Sequence, residues 1–79
     1  MTAKEVRAKR RAAGITADDV RKITGHSSGY MSELELGRVQ PKPGELERID
    51  QAIDRIIENR VAVARIAQER GIELVGVRL

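Results

Sequence analysis

The chain has 79 residues, a formal net charge of +3, a single aromatic residue, Tyr30, a single histidine, His26, and no cysteine. That length holds one small domain that buries only about 60% of its unfolded surface, so association with a second copy would stabilise it; the missing thiols exclude disulfides and thiolate metal sites, and one histidine argues against zinc. No apolar run approaches the roughly 20 residues that cross a bilayer, and the first residues form a charged helical pattern with no signal-peptide core, so the expectation is a cytoplasmic protein with no membrane partner, metal or cofactor.

The first helix is expected over about residues 3–13, opened by a capping box of Thr2 and Glu5 and closed by Gly14. Its inward stripe is Ala3, Val6 and Ala13 with the stem of Arg10, and Lys4, Arg7, Lys9, Arg10 and Arg11 crowd its remaining surface. A second helix opens at Thr16, with Asp19 three residues on, carries Val20 and Ile23 at helical spacing, and stops at Gly25. After the turn Gly25-His26-Ser27, Ser27 caps a third helix whose Met31 and Leu34 face inward and which ends at Gly37. Two caps, two stops and so short a turn describe a helix-turn-helix over residues 15–38, a unit that places a helix in a DNA groove.

The following loop, Val39-Gln40-Pro41-Lys42-Pro43-Gly44, has two prolines and is expected on the surface. Residues 45–70 contain neither Gly nor Pro, and Leu46, Ile49, Ile53, Ile57, Val61, Ala64 and Ala67 follow the helical repeat. The pairs Glu45 and Arg48, Arg55 and Glu58, and Arg65 and Glu69 suit its exposed side. One helix of that length would run about 39 Å. It therefore either breaks near Asn59 and Arg60 or projects toward a partner, as Val61, Ala62, Val63, Ala64, Ile66 and Ala67 surround its circumference. Beyond Gly71 the chain is rich in strand formers. Leu74, Val75, Val77 and Leu79 are expected in a strand over residues 74–79 that pairs antiparallel with the same segment of a second copy.

Residues 1–44 hold nine Lys and Arg against five Asp and Glu, and residues 45–79 hold six against seven, so the basic surface belongs to the first part. Coupled to the helix pair, that asymmetry supports nucleic acid as the partner. The expected organisation is a DNA-binding domain over residues 1–58 and a dimerising segment over 59–79. Ile57, Val61, Val63, Ala64 and Ile66 join Leu74, Val75, Val77 and Leu79 in the homodimer contact.

On these residues, from Val6 to Ile57 and without a gap through residues 15–38, the chain resembles the lambda-repressor and Cro-like helix-turn-helix family, also called the Xre family. The resemblance implies a mainly all-α fold with a long C-terminal helix and, in this chain, the short terminal strand. It implies that the helix beginning at Ser28 lies in the major groove while the helix after Thr16 crosses the backbone. By position, Ser28, Gly29 and Glu33 fall where the family reads bases, and Ser27 and Thr16 where it meets phosphates. Arg38, Gln40 and Lys42 occupy its other backbone-contacting region, with Arg10 and Arg11 on the first helix. Arg10 and Glu35 match a pair that in some relatives forms a salt bridge. Departures are Ala17 where Gln is frequent, Arg21 where Ala is frequent and which must splay outward, His26 in place of a small apolar residue, and Thr24 in place of Leu.

The recognition helix has no Arg, Lys, Asn or Gln, so the bidentate contacts to guanine or adenine are closed to it. Ser28 and Ser32 remain as donors or acceptors, Glu33 as an acceptor from cytosine, and Tyr30 as a ring for a thymine methyl or a hydroxyl for a phosphate, with shape readout supplying the rest. The expectation is a dimeric, phage-type repressor on an inverted-repeat operator in a bacterial or phage-infected cell. An antitoxin-like autoregulator and a protein-binding module on the same helices stay open as alternatives. No nucleophile is paired with a base and no Gly-rich phosphate loop is present, so enzymatic activity is not expected.

Overall fold

In the computed structural model, which describes residues 1–71, four helices follow one another: α1 (Ala3–Ala12), α2 (Ala17–Thr24), α3 (Ser28–Glu35) and α4 (Glu45–Arg70). All regular structure among the described residues is helical. The expected strand with Leu74, Val75, Val77 and Leu79 lies outside the described residues.

The ends of the short helices follow their capping residues. The Thr16 hydroxyl accepts from the Asp19 N–H at 3.1 Å while the Asp19 carboxylate accepts from the Thr16 N–H at 3.2 Å, a complete capping box. Thr2 accepts from the Glu5 N–H at 3.1 Å, but Glu5 returns its bond to the Thr2 hydroxyl, so the reciprocal half of the expected box is replaced. Gly25 turns the chain out of α2 at φ +82°, a left-handed conformation that a Cβ disfavours.

The core is formed where all four helices meet. Val6 of α1, Ile15, Val20 of α2, Met31 and Leu34 of α3, and Leu46, Ile49, Ala52 and Ile53 of α4 are buried together. Burying side chains of this size contributes roughly 1.5–3 kcal/mol each, which makes α4 the principal wall of the domain. Ile23 shares the stripe of Val20 yet is 42% exposed, because it sits at the rim where α2 meets Arg48, Gln51 and Arg55 of α4.

Two expectations about α4 are corrected. Glu45 is buried, not on the exposed side with Arg48, since its carboxylate turns inward to polar groups of the turn and α3 while Arg48 reaches the Thr24 carbonyl at 3.4 Å. The break considered near Asn59 and Arg60 does not occur: α4 is continuous, and Arg60 donates to the Ala13 carbonyl at 3.0 Å, tying the helix to the end of α1. Beyond that tether Val61, Val63 and Ile66 of α4 are 53%, 42% and 47% exposed, with Ala64 also exposed, while Ala67 is buried and Ile57 is half-buried against the core.

Candidate nucleic-acid interface

The face that can meet DNA is the N-terminal half of α3 with the ends of α2 and the loop around it. Ser27 caps α3 by accepting from the Tyr30 N–H at 3.2 Å. The hydroxyl protons of Ser27 and Thr16 are left free by these caps to donate to an incoming phosphate. Ser28, Gly29 and Ser32 are exposed, and a Cβ at Gly29 would meet nothing within 4 Å, so a base edge can approach the backbone there. Glu33 is half-buried; its carboxylate lies 3.4 Å from an Arg38 guanidinium nitrogen on the exposed surface.

The cations divide into two groups. Arg11, Arg38 and Lys42 present exposed side chains around this face, with the neutral Gln40 also exposed beside them. Arg10 does not: its Nε and Nη2 grip the two oxygens of Glu35 at 2.8 and 2.7 Å, and Nη1 donates to the Ile15 carbonyl at 2.8 Å. With 11% and 9% of the two side chains exposed, Arg10 and Glu35 form the structural pair, and the guanidinium is committed to joining α1 to the end of α3. Lys9 is spent too, bridging Asp50 and Asp54 of α4 at 2.8 and 2.7 Å, bonds that raise its pKa. Arg21 splays outward onto Asp18 at 2.5 Å and, with Lys22, holds that carboxyl below its usual range.

Tyr30 is placed differently from its expected role against a base. Its hydroxyl donates to the Glu45 carboxylate, 2.8 and 3.0 Å from the two oxygens, and its half-buried ring stacks on His26 with centroids 5.4 Å apart. His26, read as a turn residue, lies between Thr24 Oγ1 at 2.7 Å from Nδ1 and Glu45 at 3.1 Å from Nε2. The Lys42 N–H completes the cluster with a bond to Glu45 at 3.0 Å. Burial pushes the Glu45 carboxyl up, but the Lys42 N–H, the Tyr30 hydroxyl and His26 together outweigh it and hold its pKa below the ordinary value. The same bond to Glu45, with burial and charge, raises the Tyr30 phenol. Sequence reading missed Glu45 and His26 in this cluster. They lie 15 and 19 residues from their partners across the loop, so no helical spacing links them.

Among the described residues no group of three or more His, Cys, Asp or Glu is arranged to hold a metal ion, and no helix is long and apolar enough to cross a membrane. A short capped helix braced from behind and open in front, with cations beside it, defines a helix-turn-helix module of the DNA-binding class. The family model described as a helix-turn-helix domain matches residues 3–58, and the chain belongs to that family. No curated protein and no solved structure matches the chain significantly.

Proposed function

We propose that the protein is a sequence-specific transcriptional regulator, a phage-type repressor that binds an inverted-repeat operator as a homodimer and acts by binding alone. The observation that carries this reading is the open turn at Ser28, Gly29 and Ser32, flanked by the free hydroxyl protons of Thr16 and Ser27 and by the exposed Arg38 and Lys42. Phosphate contacts from such groups set affinity and register, and the short polar side chains meet base edges. The exposed Val61, Val63 and Ile66 of α4 support the dimer, which would set two recognition helices about 34 Å apart or a multiple of that.

Fluorescence anisotropy against the DNA upstream of the protein's own gene, at several salt concentrations, tests the reading. Arg38→Ala and Lys42→Ala are each expected to weaken binding and to flatten its salt dependence. Equal affinity for unrelated DNA, or indifference to both substitutions, would instead favour a protein-binding module. Sedimentation of Val61→Glu with Ile66→Glu tests the dimer, and undiminished self-association would remove α4 from it.

A further inference from the structure

Two of the five cations on α1, Lys4 and Arg11, remain after the internal pairs are assigned, and they share one place with Arg7, which touches Glu35 only at 3.9 Å. Lys4, Arg7 and Arg11 recur at helical spacing and, with Ala8 and Glu35, line an open concavity of about 300 Å³ between α1 and the end of α3. We propose that this concavity is a seat for the DNA sugar-phosphate backbone, contacted by the strand that borders the groove entered by α3. The inference rests on the DNA-binding reading and adds Lys4 and Arg7 to the phosphate contacts.

Charge comes first. The one carboxylate in the concavity, Glu35, is gripped by Arg10 from behind and approached by Arg7 at 3.9 Å, so it is neutralised before any ligand arrives. Lys4 and Arg11 make no ion pair among the described residues, and the nearby Glu5 carboxylate is directed to the Thr2 hydroxyl at 3.1 Å. The lining therefore offers a net positive field with side chains free to bend toward an anion.

Position comes second. Ser28, Ser32 and Glu35 stand at i, i+4 and i+7 of α3, so the concavity continues the exposed row that begins at the helix start. The eight residues of α3 span about 12 Å, close to the width of the major groove. With the Ser28 turn against base edges, one bordering strand meets the hydroxyls of Ser27 and Thr16 at the front of the helix. The other passes its rear, where Lys4, Arg7 and Arg11 wait. An acidic protein segment would also satisfy the charge, but it would not explain why the seat is aligned with the row that faces the bases.

The test uses the full chain and a duplex selected by it from a randomised pool, with an unrelated duplex of equal length beside it. Lys4→Gln with Arg11→Gln removes two cations and leaves Arg7 and Glu35 in place. The slope of log affinity against log salt is expected to flatten by about 1.8, so that a fourfold rise in salt costs the variant about tenfold less affinity than the parent. Preference for the selected duplex should be unchanged, and hydroxyl-radical protection should shrink on one flank. The swap Lys4→Arg with Arg11→Lys should restore the slope. A parent that binds the selected duplex while the neutral variant keeps the same slope and footprint overturns the seat and leaves the DNA-binding reading standing. A parent that binds no duplex overturns both, as does binding of poly-glutamate in preference to DNA.

Discussion

Replacing Glu35 with Ala would strip the Arg10 guanidinium of both carboxylate acceptors in a place where only 11% of that side chain reaches solvent. Removing one partner of a buried ion pair costs about 3–5 kcal/mol, because the remaining charge is desolvated and uncompensated. The lower end applies here, since Arg10 keeps its bond to the Ile15 carbonyl at 2.8 Å and retains some contact with water. A loss of about 3 kcal/mol would be most of the roughly 5 kcal/mol available to a domain of this size. It corresponds to a fall in melting temperature of roughly 12–24 °C. Urea denaturation followed by circular dichroism measures it, and the informative control is Arg10→Met with Glu35→Leu. That double variant removes both charges together, so it is expected within about 1 kcal/mol of the parent, a little below it because the Ile15 carbonyl loses its donor. A Glu35→Ala loss under about 1 kcal/mol, or a double variant as unstable as the sum of its single changes, would show that the pair does not hold α1 to α3.

Glu45→Ala leaves the Tyr30 hydroxyl, His26 and the Lys42 N–H without their shared acceptor, and a stability loss of about 2 kcal/mol is expected in the same urea assay. The Glu45 carboxyl is held below its ordinary value of 4.5 in the folded state, so its contribution is full above that value and is lost as pH falls through the lowered one. Acid titration of Glu45→Gln by circular dichroism should therefore show a shallower loss of stability below pH 4.5, and a profile parallel to the parent's would refute the assignment. Gly25→Ala adds a Cβ that meets no atom within 4 Å but must sit at φ +82°, so the expected cost is backbone strain alone, about 1 kcal/mol in urea unfolding. Arg60→Ala releases α4 from the Ala13 carbonyl, and amide hydrogen exchange should quicken in α4 beyond that residue while α2 and α3 keep their protection.

The short helices were legible because their signals are local. Thr16, Ser27 and Gly25 act on backbone groups within a few residues, and Val6, Val20, Met31 and Leu34 fall on faces that a helical repeat reveals. What escaped was decided by partners distant in the chain. Glu45 reads as the partner of Arg48 on the exposed side of the helix, a role that would leave it in water, and only the folded loop brings Tyr30 and His26 around it. Lys9 and Arg10 look equivalent to Lys4 and Arg11 along α1. Their separation into internal and external cations depends on Asp50, Asp54 and Glu35, which lie at least 25 residues away. Ile23 shows the converse: its apolar character fits the stripe, but the nine buried core positions are filled without it.

Under the proposed function, these distant pairs have a consequence for how α3 would read DNA. Each end of the helix is held by a carboxylate: Glu35 at its last turn by Arg10 of α1, and Tyr30 in its first turn by Glu45 of α4. The side chains left facing outward, Ser28 and Ser32, are short, and Gly29 has none. A long Arg or Gln can compensate by rotation for a helix that is slightly misplaced, whereas a serine hydroxyl reaches a base only if the backbone already stands at the correct depth and angle. Fixing the helix before the encounter also removes an ordering cost that would otherwise be taken from the binding free energy. In the proposed function, two carboxylate anchors and a recognition surface of small residues would therefore be parts of one solution, in which position of the backbone substitutes for reach of the side chain.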